Sequence, residues 1–154
     1  MNVSILLAGL LALIPIVLPA QHYVRAAASG NNDGSSWEHA YKHLQTALEA
    51  AEIGDTIRVA AGPYLTDTAA ADPALNFLLN KNILLLGGFA GAGINPDERD
   101  PAAHHSILSG DLNGDDIPGD NQTNRADNAN RVLQIGGLVT QAAIIDGFFV
   151  QGGN

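Results

Sequence analysis

Three stretches of the chain place aliphatic residues just before a glycine: Leu85-Leu86-Gly87, Ile107-Leu108-Ser109-Gly110 and Ile144-Ile145-Asp146-Gly147. Glycine takes backbone turns that a side chain forbids, so each stretch reads as a short strand running into a bend. Similar apolar runs recur beyond Gly54: Thr56 to Ala60, Phe77 to Leu79, Ile83 to Leu86, Ile107 to Leu108, Val132 to Ile135 and Ile144 to Val150. Their length and residue types fit strands, and no second strong helical period accompanies them. A sandwich, a barrel or a solenoid accommodates such a series, and the recurrence of like units favours the solenoid. Gly87 to Gly110 is 23 residues, read as one coil. Gly110 to Gly147 is 37 residues, one coil only if the Asp- and Asn-rich stretch from Asp111 to Asn130 is a loop thrown out of the wall.

One helix precedes the strands. Tyr23 to Arg25 reads as a short strand and Ser29 to Gly34 as a turn. Ser35 and Glu38 have the spacing of a capping box. Trp37, Ala40, Tyr41, Leu44, Ala47, Leu48 and Ala51 then recur at three- and four-residue intervals, and Gly54 supplies a stop. The pattern predicts an amphipathic helix over about 35–53. A solenoid needs its terminal coil covered, and this helix is expected to be that cap. At the other end, the apolar run Ile144 to Val150 leads directly into Gln151-Gly152-Gly153-Asn154. The expectation is an N-terminal, incomplete portion of a longer β-helix.

Composition narrows the partners and the compartment. Seven Lys plus Arg against 16 Asp plus Glu give a net charge of -9, which repels phosphate backbones and argues against nucleic-acid binding. With 46% hydrophobic and 15% charged residues there is material for a core, and 17 glycines argue against a helical bundle. Ile5 to Leu18 is an apolar run, short for a membrane span and followed by Pro19-Ala20-Gln21. This reads as a signal peptide over 1–20, removed on export, with an uncleaved anchor as the alternative. The mature chain, 21–154, is then not an integral membrane protein. There is no cysteine, hence no disulfide framework, thiolate nucleophile or zinc-thiolate site.

Taken in order, Tyr23-Val24, Gly30-Asn31-Asn32-Asp33-Gly34-Ser35-Ser36-Trp37, Leu44-Gln45-Thr46-Ala47-Leu48, Gly54-Asp55 and Ile57-Arg58-Val59-Ala60-Ala61-Gly62-Pro63-Tyr64 resemble the N-terminal region of secreted bacterial right-handed parallel β-helix proteins of the pectate-lyase-like superfamily. Leu86-Gly87-Gly88-Phe89-Ala90-Gly91, Arg99-Asp100, the run from Ile107 to Asp116, Asp127-Asn128 and Ile145-Asp146-Gly147-Phe148 are similar to that group's coil signatures. The resemblance implies an all-β, right-handed solenoid with an N-terminal helical cap, exported and displayed at the cell surface. Later coils and a C-terminal anchor are missing from the pattern, and no catalytic position of the superfamily's lyases matches a residue here.

The segment Asp111-Leu112-Asn113-Gly114-Asp115-Asp116-Ile117-Pro118-Gly119-Asp120 is the candidate metal site. Asp111, Asn113, Asp115, Asp116 and Asp120 offer side-chain oxygens, which suit a hard cation such as calcium in a structural role. It is not an EF-hand, because Asp116 and Gln122 stand where that loop has Gly and Glu. Turn formation alone also accounts for the cluster, since seven of the 12 aspartates lie between Asp97 and Asp127. His39 and His43 are one helical turn apart on the polar side and read as solvated. His104-His105 beside Ser106 lacks a nucleophile elbow and reads as a loop entering a strand. Asp111, Asp115, Asp116 and Asp146 include possible glycosidase pairs, Arg125 and Arg131 possible uronate contacts, and Asn121-Gln122-Thr123 a glycosylation sequon. Two functions follow: a non-catalytic secreted or cell-surface module whose coils bind extracellular polysaccharide, or the N-terminal part of a polysaccharide lyase or glycoside hydrolase with its catalytic residues elsewhere.

Overall fold

Short aliphatic runs separated by glycines leave the backbone groups of each run needing partners, and here those partners come from far along the chain in parallel orientation. A computed structural model describes residues 18–66, 72–120, 122–139 and 143–154. Among the described residues the elements run β1 (Gln21–Val24), α1 (Leu44–Ala50), β2 (Thr56–Ala60), β3 (Gly62–Leu65), β4 (Phe77–Leu79), β5 (Leu84–Phe89), β6 (Ser106–Ser109), β7 (Leu133–Ile135), β8 (Ile144–Asp146) and β9 (Phe148–Gln151). They form a first sheet β1-β2-β5-β8, a second sheet β3-β6-β9 and a third sheet β4-β7. Every strand pair within these sheets is parallel. From β2 onward the chain visits first, second and third sheet in that order, repeats the circuit, and begins it once more. Among the described residues strands thus dominate, the sheets are parallel, and no barrel closes.

The register stacks like on like. Ile57 pairs with Leu85 and Leu85 with Ile145, Tyr64 pairs with Leu108 and Leu108 with Val150, and Phe77 and Leu79 pair with Leu133 and Ile135. Paired residues of neighbouring parallel strands project to the same face, and Ile57, Leu85, Tyr64, Leu108, Phe77 and Leu79 from these rows meet in one core with Val24, Val59 and Ile83, against which Leu133 and Ile145 pack. The 23-residue spacing does not connect paired strands. Gly87 lies in the first sheet, whereas Gly110 follows the second. The real spacings are 28 residues from Thr56 to Leu84 and 60 from Leu84 to Ile144. The glycines also divide their work. Gly147 has φ +80 and makes the bend that splits Ile144 to Val150 into β8 and β9, whereas a Cβ on Gly87 would lie 2.4 Å from the Gly147 carbonyl oxygen.

The helix is shorter than the apolar spacing predicts. It spans Leu44–Ala50, buries Leu44, Ala47 and Leu48, and has His43 at its N-cap with no side-chain cap bond. The segment 34–41 instead runs along the outer edge of β1. Tyr23 N–H donates to the Gly34 carbonyl, Tyr41 N–H to the Tyr23 carbonyl, and Arg25 N–H to the Tyr41 carbonyl. That edge partners the two ends of the segment, while the Glu38 and His39 carbonyls between them accept from Gly30, Asp33 and Gly34. Its Trp37 packs on the outside of the first sheet, 4.9 Å from Tyr23 and 5.6 Å from Phe89 between ring centres, and donates to Asp97 at 3.0 Å. Downstream, Lys81 Nζ donates to the Glu49 and Ala51 carbonyls and satisfies the end of α1. Among the described residues no helix is long and apolar enough to cross a membrane. The apolar run from Ile5 lies, through position 17, outside the described residues, so the signal-peptide reading is not addressed by the structure.

Asp55 joins the pieces of this end. Its buried carboxylate accepts the N–H groups of Ala20 at 2.7 Å and Glu52 at 2.8 Å and contacts His22 Nε2 at 3.1 Å. Burial opposes its ionisation, but the Glu52 and Ala20 amides and the His22 ring outweigh that and hold the carboxyl below its ordinary value. Its stabilisation is therefore full above about pH 4 and is lost as pH falls through the depressed folded-state value. Asp55→Ala strands two amides and is expected to cost about 1–3 kcal/mol at pH 7 by urea unfolding, with the deficit narrowing below about pH 4.

Candidate functional site

After β6 the chain leaves the second sheet in a long acidic loop and returns at β7 in the third. Asp111 organises its start: Oδ1 accepts the N–H groups of Gly114 at 2.8 Å and Asp115 at 3.2 Å, and Oδ2 accepts Asp116 N–H at 3.2 Å. At the far side of the loop, Asp127 Oδ2 accepts the Asn113 N–H at 3.2 Å. The result gathers Asp111, Asp115 and Asp127, each offering a carboxylate oxygen, with these oxygens within 4.8 Å of one another. Desolvation, then the like charges of Asp127, Asp111 and Asp116, push the Asp115 carboxyl above its ordinary value. Three converging carboxylate oxygens suit a divalent cation and do not by themselves select calcium.

The predicted ligand set is only partly brought together. Asp116 turns away, accepting from Asn128 Nδ2 at 3.0 Å and facing Arg125 at 3.7 Å. Asp120 closes its own turn, accepting from Thr123 Oγ1 at 2.6 Å and from the Gln122 and Thr123 amides. The Thr123 hydroxyl, with those amides, holds the Asp120 carboxyl below its ordinary value. Asn113 takes part through its backbone N–H. Asp127 joins the cluster although it lies 12 residues beyond Asp115. The only trace of it in the sequence is its place at the other end of the same Asp-rich loop.

A cleft of about 520 Å³ adjoins the cluster, between the start of α1 and the second sheet. Leu44, Tyr64 and Leu112 give it apolar walls, and Lys42, Asp111 and Asn113 polar ones. The buried Tyr64 hydroxyl donates to the Ala60 carbonyl at 3.0 Å, and burial, foremost, keeps its pKa above the ordinary tyrosine value.

The other candidates serve the scaffold. Ser106 is fully buried, accepts Gly88 N–H at 2.9 Å and faces the Ala60 carbonyl at 2.9 Å, so its hydroxyl ties strands together. His105 packs against Phe149 at 4.6 Å between ring centres, and His39 Nδ1 accepts the Asn31 N–H at 3.0 Å while His43 is exposed. Arg125 donates to the Gly153 carbonyl at 3.0 Å, Arg131 is exposed, and Asp146 on the first sheet is held by Arg99. Asn121 of the sequon lies outside the described residues. No protein-family model, curated protein or solved structure matches this chain.

Asp115→Asn removes one member of a like-charged group. It is expected to raise the melting temperature measured in chelator at pH 7. Because the raised carboxyl destabilises the fold only once ionised, the gain over the parent should grow as pH rises through the carboxylate range and vanish below it.

Proposed function

We propose that this chain is an exported, right-handed parallel β-helix module of the pectate-lyase-like kind it resembles, acting outside the cell or at its surface as a non-catalytic scaffold that binds polysaccharide. The observation that carries this reading is the fixed order in which the chain passes through three parallel sheets. Parallel neighbours cannot be joined by hairpins, and a chain that repeats the same circuit with like residues in register supports a coil. The right-handed sense follows from the hand of parallel crossovers, right-handed in about 98% of cases. Export is supported by the apolar run Ile5 to Leu18 ahead of Ala20.

The cleft beside α1 combines apolar walls with hydroxyl, amide and charged groups, the mixture a sugar ring needs for its apolar faces and its hydroxyls. Ser106 and Arg125, which invite a catalytic reading, are engaged in holding strands and loop together. The cation reading is structural: calcium, which takes six to eight oxygens, would draw Asp111, Asp115 and Asp127 together with backbone and water oxygens and fix the loop that borders the cleft. Asp111 belongs to both, so cation and ligand would act on one wall.

Affinity electrophoresis against polygalacturonate and alginate, with ultraviolet detection of unsaturated products, tests the function. Retardation without product is expected. Product formation would make the chain part of a lyase, and migration unchanged by either polymer would remove the binding role. Calcium at about 100 times its dissociation constant should stabilise the parent by about 2.7 kcal/mol. Asp115→Asn should lose most of that gain and Asp120→Asn, outside the cluster, should keep it.

A further inference from the structure

An asparagine loses ammonia when the backbone nitrogen of the next residue attacks its side-chain carbonyl carbon, and the side chain of that next residue is the main obstacle. Asn113 is the one asparagine of the chain directly followed by glycine, which has nothing to crowd the ring that forms. Asn95, by contrast, precedes Pro96, which has no N–H to lose.

The fold leaves this pair free to react. Asn113 and Gly114 are both exposed, and no atom lies within 4 Å of where a Cβ on Gly114 would stand. Asp127 holds the Asn113 backbone N–H, but among the described residues the Asn113 carboxamide has no hydrogen-bond partner. Two other asparagines of the loop are tied, Asn124 Nδ2 donating to the Asp115 carbonyl at 2.9 Å and Asn128 Nδ2 to Asp116 at 3.0 Å. The attacking group is also prepared. Gly114 N–H donates to Asp111 Oδ1 at 2.8 Å, so the proton that the nitrogen must release already faces a carboxylate able to receive it. Asp111 is fixed in that place by accepting the Asp115 and Asp116 amides as well.

We propose that Asn113 deamidates in the folded protein and that this turns a neutral stretch of the cleft wall into an anionic one. The Gly114 nitrogen bonds to Asn113 Cγ as its proton passes to Asp111, the Cγ–Nδ2 bond breaks, and ammonia leaves with that proton, closing a succinimide ring. Water then opens either ring carbonyl and leaves aspartate or isoaspartate at position 113, the second with one extra methylene in the main chain. Asn113 and Gly114 line the cleft together with Lys42, Leu44 and Asp111. A second carboxylate there stands beside Asp111 and repels an acidic polymer. That consequence rests on the polysaccharide reading proposed above, whereas the deamidation itself does not.

The purified protein is aged in chelator at mildly alkaline pH and sampled by peptide mapping with mass spectrometry. The expected result is a gain of one mass unit that appears first in the peptide carrying position 113, divided between aspartate and isoaspartate, and at least as fast in the folded protein as in the chain unfolded by guanidinium chloride. Asn113→Gln, whose longer side chain would have to close a larger ring, should show no such gain. An unchanged peptide, or a folded chain that converts well below the unfolded rate, would overturn the proposal, because the loop would then be protecting Asn113.

Affinity electrophoresis in polygalacturonate reads the consequence. Asn113→Asp should be retarded about threefold less than Asn113→Gln, and the aged parent should drift toward Asn113→Asp. Equal retardation of the two variants would overturn the change in the cleft. A parent that the polymer does not retard, with position 113 still converting, would refute the polysaccharide reading and leave the deamidation standing, so the two failures are told apart.

Discussion

Parallel pairing between strands separated by long circuits of chain is the constraint on which the other features depend. A parallel neighbour cannot be reached by a tight turn, so each strand must wait for the chain to travel through the other sheets. Once Thr56 is opposite Leu84 and Leu84 opposite Ile144, Ile57 lies on Leu85 and Leu85 on Ile145. The core becomes a set of aliphatic and aromatic columns. Backbone carbonyls of successive circuits approach closely at fixed points, which is why Gly87 has no room for a Cβ over Gly147. The 60-residue circuit shows that the wall tolerates insertions between strands, as expected when loop closure grows only slowly with length. The acidic loop is such an insertion, and a candidate cation cluster and a cleft arise where it leaves the wall.

The two ends of the stack solve the same problem differently. At the first, β1 would expose a row of amides and carbonyls, and segment 34–41 takes them up while α1 lays Leu44, Ala47 and Leu48 over the core. Asp55 then pins strand entry, helix exit and the start of β2 through one carboxylate. At the second end the columns continue to Ile135 and Val150 without cover from any described residue.

Much of the wall was legible in the residues. Thr56 to Ala60 and Phe77 to Leu79 coincide with β2 and β4 because their aliphatic runs are bounded by turn-forming residues. β3 is not among the strands expected from the sequence, since proline and glycine are poor strand formers, although a parallel neighbour on one side is all that Gly62–Leu65 has. The helix was over-extended because Trp37 and Ala40 are buried at helical spacing for another reason, packing of a loop beside the first sheet. The 23-residue spacing from Gly87 to Gly110 does not link paired strands, because Gly87 lies in the first sheet and Gly110 follows a strand of the second. In the acidic loop, Asp111 and Asp115 were legible as a pair, but winding of the backbone onto Asp111 turns Asp116 away from them toward the buried Asn128 and brings in Asp127, and that depends on how the whole loop closes.

The stacking of like strands in parallel register is open to a direct chemical measurement, helped by the absence of native cysteine. Adjacent strands lie about 4.8 Å apart, within the Cα range of a disulfide. Mild oxidation of the double variant Leu84→Cys with Ile144→Cys, and separately of Gln21→Cys with Thr56→Cys, is followed by peptide mapping with mass spectrometry. The account predicts intrachain disulfides in both. If Leu84→Cys instead cross-links with Asp146→Cys and not with Ile144→Cys, the strands run antiparallel and the account is wrong.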